Sequence, residues 1–233
     1  QKLLKEAPTI PGYTFATRFE AATEISGDFY EFILLSDGRI GFAQGDVSGH
    51  GMQAGLIMSM AKKVLAIYAR QGARPAQVLS SVNDALAEDL GGKMFVTITY
   101  AILDPDERTI TWARAGHSPP VRFNPHSGEL SEINPAGMVV GMKSGPLFQQ
   151  AVQEEVTQLR SGDIFLIYTD GITETMNRQG EEYDTERLFE LIKTHGPTVG
   201  VEGMLDRILD SIRSFRGSAP ADDDITMLAL AVD

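Results

Sequence analysis

Apolar residues recur along the chain with two different periods, one of two residues and one of three to four residues. Residues 95–103 set apolar side chains against threonines at every second position, which predicts a strand with one buried face. Residues 52–70 carry apolar side chains at every third or fourth position, which predicts an amphipathic helix. Residues 164–168 are apolar throughout, a pattern typical of a central strand covered on both faces.

Read in order, the pattern predicts an α+β protein. The predicted strands are 13–22, 28–36, 39–44, 95–103, 109–113, 121–123, about 148–156, 164–168 and 225–232. The predicted helices are 52–70, 75–90, one from Asp184 to Gly196-Pro197, and one over 204–212 that ends at Gly217. Residues 124–144 are predicted to be a loop with short extended pieces. Because strands and helices do not alternate strictly, this order favours antiparallel sheets with helices packed outside them.

Composition narrows the class of protein. The 233 residues fit one domain, with 1–8 as the end of a linker from a preceding region and 9–233 as the domain. A formal net charge of −12 disfavours nucleic acid and anionic membrane as partners. The chain has no cysteine, which excludes thiolate chemistry and fits a reducing, cytoplasmic location. No apolar run in the sequence reaches the roughly 18 residues of a membrane span.

One stretch combines several features of a ligand site. A predicted strand runs into Asp46, and glycines at 45, 49 and 51 then lead into the helix at 52–70. Glycines allow a ligand to come close, and a helix N-terminus favours an anion. The stretch is not a Walker A loop, because the Lys-Ser/Thr of that motif is missing. An acid at this place needs a metal ion to hold phosphate. The alternative is an ordinary strand-turn-helix connection with a surface aspartate.

Four aspartates mark the ends of predicted strands. Asp28 and Asp223 begin strands, whereas Asp46 and Asp170 follow them. If the four converge at one edge of a sheet, their mutual repulsion calls for a cation. Oxygen ligands without cysteine select Mg²⁺ or Mn²⁺ over zinc or copper. Two such ions can clamp a phosphoryl group and activate water for hydrolysis. Each aspartate taken singly is also typical of a turn.

Five blocks of sequence, in the same order, resemble a known family. They are Ser26-Gly27-Asp28-Phe29-Tyr30, Gly45-Asp46-Val47-Ser48-Gly49-His50-Gly51, Ala115-Gly116-His117-Ser118-Pro119-Pro120, Gly162-Asp163 with Tyr168-Thr169-Asp170-Gly171-Ile172-Thr173-Glu174, and Asp223-Asp224-Ile225-Thr226. The blocks resemble those of the SpoIIE-type serine phosphatases, a bacterial branch of the metal-dependent protein phosphatases related to protein phosphatase 2C. The resemblance runs from about residue 11 to residue 232.

The resemblance implies a four-layer α-β-β-α sandwich of two mainly antiparallel sheets flanked by helices, with two Mn²⁺ or Mg²⁺ ions at the sheet edge. By position, Asp46 is implied to bridge both ions, and the carbonyl of Val47 to bind one of them. Asp170 and Asp223 are implied to hold the other ion, with Asp28 acting directly or through water. These four aspartates are the implied catalytic residues, and water is the implied nucleophile against phosphoserine or phosphothreonine.

The family also implies a partner and a mode of regulation. Substrates in this branch are typically anti-sigma-factor antagonist proteins of the STAS type, and a sensor region before the domain commonly controls activity. Residues 1–6 are then the end of such a connection, through which a homodimer can form.

Several interpretations stay open at this point. His50 is interpreted as a loop residue or a general acid, and His117 as a hydrogen-bonding turn residue or a catalyst. Asp224 competes with Asp223 as a ligand, and Asp223 is favoured because it aligns with the first acid of the family motif. The alternative function is a regulatory binding module of the same fold, although no predicted metal acid is missing. A phosphohydrolase for small molecules or nucleotides lacks a basic or aromatic cluster that would hold a base.

Overall fold

The computed structural model describes residues 6–143 and 145–233. They contain two compact units: unit 1 (Ile25–Pro119 and Ile133–Leu159) and unit 2 (Ala7–Glu24, Pro120–Glu132 and Arg160–Asp233). Of the predicted linker 1–8, residues 1–5 lie outside the described residues. Within the described ranges, no helix is long and apolar enough to cross a membrane.

The described residues form strands and helices in the following order: β1 (Tyr13–Glu20), β2 (Phe29–Leu34), β3 (Ile40–Val47), α1 (Met52–Ala69), α2 (Pro75–Leu90), β4 (Val96–Asp104), β5 (Thr109–Ala115), β6 (Val121–Asn124), β7 (Glu129–Glu132), α3 (Pro146–Ala151), β8 (Glu154–Gln158), β9 (Ile164–Tyr168), α4 (Asp184–Arg216) and β10 (Ile225–Val232). Strand β7 is one of the short extended pieces predicted within 124–144.

Unit 1 is an antiparallel sheet with helices packed on one of its faces. Its strands pair in the order β2-β3-β4-β5-β8. Alternate residues such as Phe29, Ala43 and Ile98 share one buried cluster with Leu65 of α1 and Val82 of α2. Because side chains alternate along a strand, the residues between them lie on the opposite face of the sheet.

Unit 2 is a second antiparallel sheet, packed against α4. Its strands pair in the order β1-β10-β9-β6-β7. Leu166 and Tyr168 of β9 share a buried cluster with Leu188 and Leu205 of α4. Strand β9 lies between β10 and β6, as its uniformly apolar sequence predicts. The predicted α+β class, with two antiparallel sheets flanked by helices, is confirmed.

The strand predicted near 148–156 is wrong at its start. Pro146 begins α3, and Phe148 is a fully buried residue of that helix. Proline suits the first turn of a helix, where a main-chain N–H has no partner in any case. Strand β8 begins only at Glu154 and pairs with β5.

The break predicted between two helices occurs, but at Gly200 and not at Gly196-Pro197. Gly196 and Pro197 lie within α4, and the helix is interrupted at Gly200, whose φ is 70°. A Cβ at Gly196 would lie 2.8 Å from Cδ1 of Ile164. Gly196 therefore allows close packing of the helix on β9 and does not end the helix.

Candidate active site

Asp28 and Asp46 lie at the same end of the unit 1 sheet. Phe29 pairs with Gly45 in the antiparallel register of β2 and β3, so the preceding Asp28 stands across from Asp46. Alternation puts both on the face without helices. Asp28 is 2% exposed and Asp46 is half-buried. Two of the predicted acids are therefore neighbours.

Beside this pair, the Val47 carbonyl oxygen is a third oxygen donor that faces Gly27. An ideal Cβ at Gly27 would lie 2.9 Å from the carbonyl oxygen of Val47 and 3.3 Å from Oδ1 of Asp46. The carbonyl and the carboxylate therefore face the same glycine, which a larger residue could replace only if the main chain moved. Hard divalent cations prefer oxygen donors of this kind. The donor set of unit 1 fits the predicted ions.

The loop after β3 is fixed by contacts with the start of β4. The Ser48 N–H donates to the Phe95 carbonyl at 3.0 Å, and the Phe95 N–H donates to the Ser48 hydroxyl at 2.9 Å. Gly49 and Gly51 have φ values of 91° and 78°, which side chains other than hydrogen rarely allow. His50 is exposed between these glycines, immediately before α1.

His117 packs against the strand that pairs with Asp46. Its Nδ1 is 2.8 Å from Oγ1 of Thr97, and Thr97 is the register partner of Asp46. Burial, with a smaller contribution from the positive charge of Arg114, lowers the pKa of His117 to about 3. The imidazole is therefore neutral at physiological pH.

In unit 2, Asp170 and Asp223 occupy neighbouring strand ends. Asp170 follows β9 and Asp223 precedes β10, and these two strands are paired. Gly171 packs so tightly on the main chain of Asp224 that a side chain there would overlap the Asp224 carbonyl. The glycine after Asp170 is thus required for the close approach of the two strand ends.

The acids of unit 2 repel one another. Partial burial, followed by the charges of neighbouring acids with Asp170 first among them, raises the pKa of Asp223. Burial and the charge of Asp170 likewise raise the pKa of Glu174. Because nearby like charges disfavour ionisation, a cation at this place would be stabilising.

Sequence reasoning missed Glu174 as a member of this cluster. Its N–H donates to the carbonyl of Asp170 at 2.8 Å, so the turn after β9 brings the glutamate back towards the aspartate. The available signal was the spacing of the two acids around Gly171, since four residues form one such turn.

We expect Asp223→Asn to stabilise the metal-free chain more at pH 7 than at pH 4. The pKa of Asp223 is raised in the folded state, so the protonated carboxyl favours folding relative to the ionised one. That advantage is present below the unfolded-state pKa and is lost as pH rises through the folded-state pKa. At pH 7 the ionised Asp223 therefore destabilises the fold, and the neutral amide of Asp223→Asn removes this cost. Urea unfolding in EDTA at both pH values measures the effect, with the exposed Asp210→Asn as the matched control. A gain that is equal at the two pH values would show that the repulsion is absent.

Asp224 has a different role from Asp223. Its Oδ1 accepts a hydrogen bond from the Ala22 N–H at 2.8 Å, which ties the segment after β1 to the start of β10. Asp224 is also buried, whereas Asp223 is more open to solvent and only partly buried. This difference favours Asp223 as the ligand.

Asp163, in the fourth sequence block, joins two parts of unit 2 through three hydrogen bonds. Its carboxylate is fully buried and accepts hydrogen bonds from Nη2 of Arg122 at 2.6 Å, Nδ2 of Asn124 at 2.7 Å and the Arg160 N–H at 2.8 Å. These contacts connect β6 to the turn before β9. The residue serves folding in this motif.

We therefore expect Asp163→Ala to lower the free energy of unfolding by about 3–5 kcal/mol, the usual cost of breaking a buried, hydrogen-bonded ion pair. Urea denaturation measures this, with the exposed Asp210→Ala as the control. A loss below about 1 kcal/mol would mean that the network contributes no more than a surface ion pair.

The four predicted aspartate ligands thus occur as one pair in each unit, with the Val47 carbonyl beside the pair of unit 1. Among residues 6–143 and 145–233, no three His, Cys, Asp or Glu side chains form a group that could hold a metal ion as they stand. The joint binding of two ions by Asp28, Asp46, Val47, Asp170 and Asp223 stays a prediction.

Comparison with known proteins places the chain in a family. The sequence model of the family described as Stage II sporulation protein E (SpoIIE) matches residues 36–233. The chain belongs to the SpoIIE family. The resemblance to the SpoIIE family is confirmed, and four of the five sequence blocks lie within the matched residues.

Individual SpoIIE-family relatives and solved structures agree with this assignment. Phosphoserine phosphatase RsbU of Bacillus subtilis (strain 168) is 29% identical over 211 residues, which are 90% of this chain and 60% of RsbU. The SiaA-PP2C domain of Pseudomonas aeruginosa has a TM-score of 0.81 at 20% identity, covering 94% of this chain and 86% of that domain. The structure of RsbX in complex with magnesium has a TM-score of 0.71 at 17% identity, covering 98% and 99% of the two chains.

These comparisons differ in what they establish. The two structures, both below 25% identity, show that the chain has the PP2C fold. The chain spans 60% of the length of RsbU.

Proposed function

We propose that this SpoIIE-family chain is a metal-dependent protein phosphatase that hydrolyses phosphoserine or phosphothreonine. The observation that carries the proposal is the approach of the Asp46 carboxylate and the Val47 carbonyl to the same face of Gly27, beside the buried Asp28. The similarity to RsbU, a phosphoserine phosphatase, supports the same reaction.

Five residues would hold two ions, Mn²⁺ or Mg²⁺. Asp46 would bind both ions, and the Val47 carbonyl would bind one of them. Asp170 and Asp223 would bind the other, and Asp28 would act directly or through water. Partial burial and then the charge of Asp170 raise the pKa of Asp223, and a cation would relieve both effects. The magnesium in the RsbX structure also supports a divalent cation.

When bound, such ions lower the pKa of water and offset the charge of the phosphoryl group. The residues of the chain prepare the site for this chemistry. The Asp28 N–H donates to the Ser26 hydroxyl at 3.0 Å, which fixes the main chain on either side of Gly27. The chain contains no cysteine, so a thiol cannot serve as the nucleophile.

The proposed substrate is a phosphorylated regulatory protein, with STAS-type anti-sigma-factor antagonists as the first candidates. A cavity of about 260 Å³ in unit 2 is lined by Glu174, Met176 and Asp223, among others. It offers room for substrate residues next to the proposed acids.

We expect the chain with Mn²⁺ to hydrolyse a phosphorylated STAS protein with a kcat/KM at least about 100-fold above that for p-nitrophenyl phosphate or ATP, because contacts beyond the phosphate contribute to transition-state binding. Release of inorganic phosphate from each substrate is the measurement. Comparable values for ATP and the phosphoprotein would overturn the assignment to protein substrates.

A further inference from the structure

The turn after β5 places His117 beside β4. Strand β5 ends at Ala115, and Gly116 has a φ of 75°. A side chain at Gly116 would overlap Val139, so the turn depends on glycine. Nη1 of Arg114 donates to the His117 carbonyl and fixes the far side of the turn. His117 is therefore held by its main chain on both sides.

The imidazole forms the first of two linked contacts. Nδ1 of His117 is 2.8 Å from Oγ1 of Thr97, and the same Oγ1 is 3.5 Å from the carbonyl oxygen of Asp46. A hydroxyl group has one proton. Both contacts are hydrogen bonds only if the His117 Nδ1–H donates to Oγ1 and the Thr97 O–H donates to the Asp46 carbonyl.

These two contacts, from His117 to Thr97 and from Thr97 to the Asp46 carbonyl, form a hydrogen-bond relay. The relay ends on the main chain that carries the proposed metal donors. Thr97 is the cross-strand partner of Asp46, and Val47 is the next residue. The Asp46 side chain and the Val47 carbonyl lie on either side of the peptide that receives the hydrogen bond. A displacement of that peptide would therefore move both donors.

His117 is a costly residue for packing alone. It is 2% exposed, and its Nε2 is buried with no hydrogen-bond partner in the described part of the chain. A buried polar atom without a partner is destabilising, and an apolar side chain at this position would avoid that cost. The low pKa of His117 keeps Nδ1–H and Nε2 in one protonation state across physiological pH, which suits a fixed structural contact.

We propose that His117 is a positioning residue which, through the Thr97 hydroxyl, orients the Asp46–Val47 segment for metal binding. The inference rests on the proposed metal-dependent function and deepens it. Residues that orient metal ligands through hydrogen bonds typically change metal affinity by about 10–100-fold when they are replaced.

The first test compares two substitutions of Thr97. Thr97→Val removes the hydroxyl and keeps the shape, whereas Thr97→Ser keeps the hydroxyl. Isothermal titration of the whole chain with Mn²⁺ is expected to show at least about tenfold weaker binding for Thr97→Val, and an affinity within about threefold of wild type for Thr97→Ser. Thr97→Val with wild-type Mn²⁺ affinity would overturn the inference.

The second test separates the two ring nitrogens of His117. The amide of His117→Asn can replace Nδ1–H at Thr97, whereas the amide of His117→Gln reaches the position of Nε2. We expect His117→Asn to keep Mn²⁺ binding within about threefold of wild type and His117→Gln to weaken it about tenfold. A purely structural histidine would give the two variants equal losses, and that result would contradict the inference.

The double variant Thr97→Val, His117→Gln measures how strongly the two residues are coupled in their effect on Mn²⁺ affinity. If His117 acts through Thr97, then His117→Gln adds little to the loss already caused by Thr97→Val, whereas independent effects multiply. Multiplying effects would count against the relay.

The outcome for wild type separates this inference from the proposed function. If the wild-type chain binds Mn²⁺ and Thr97→Val matches it, only the relay fails. If the wild-type chain binds no Mn²⁺ and releases no phosphate, the proposed function fails, and the inference about His117 fails with it.

Discussion

Asp46→Asn is expected to lower the rate of phosphoserine hydrolysis by on the order of 1,000-fold or more, the scale seen when a central catalytic group is removed. The amide keeps the shape of the side chain but lacks the negative charge that is proposed to bind both ions. Phosphate release from a phosphorylated STAS protein, measured with saturating Mn²⁺, gives the rate.

The matched control for this variant is Asp106→Asn, the same chemical change at an exposed position of unit 1. Asp106→Asn should retain wild-type turnover, and in EDTA both variants should unfold at the wild-type urea concentration within error. An Asp46→Asn chain that is folded and fully active would remove Asp46 from the mechanism.

Metal removal is expected to abolish turnover, and Mn²⁺ or Mg²⁺ is expected to restore it. Mn²⁺ at 100 times its Kd should also raise the free energy of unfolding by about 2.7 kcal/mol, because it binds the folded state. Burial and the charge of Asp170 raise the pKa of Asp223 and of Glu174, so a cation beside these acids would stabilise their ionised forms.

Asp223→Asn is the informative control for the metal experiment. In EDTA it should be no less stable than wild type, because one of the repelling charges is gone. With added Mn²⁺ it should gain much less stability than wild type. Turnover that persists in EDTA at the rate seen with Mn²⁺ would contradict metal dependence.

Elements with strong periodic patterns were predictable from the sequence. The predicted strands 164–168 and 225–232 agree with Ile164–Tyr168 and Ile225–Val232, and the helix predicted at 52–70 agrees with Met52–Ala69 within one residue. Burial on one or both faces of such a segment produces a clear pattern of apolar residues in its sequence. Glycines and aspartates at their ends then fix the boundaries.

Elements decided by packing were not predictable. The aromatic side chain of Phe148 favours a strand, but Pro146 begins a short helix in which Phe148 is buried. Gly196-Pro197 is typical of a helix end, yet Gly196 packs closely on Ile164 and the helix is interrupted only at Gly200. In both cases a contact distant in sequence outweighed the local preference.

For the candidate site, the sequence blocks name the acids, and their role as ligands stays a prediction. Asp28 with Asp46, and Asp170 with Asp223, are the pairs that strand pairing brings together in each unit. Glu174 and Thr97 were missed, because their proximity to these acids depends on a turn and on strand register. The only sequence signal for Glu174 is its spacing from Asp170, and Thr97 carries none.

The most direct test is a crystal structure of the chain with Mn²⁺, with the ions located by anomalous scattering. We predict two Mn²⁺ ions bridged by Asp46, with the Val47 carbonyl on one and with Asp170 and Asp223 on the other, at oxygen distances of about 2.1 Å. Ions bound elsewhere on the chain, with Asp46 not coordinating any of them, would contradict the proposed phosphatase centre.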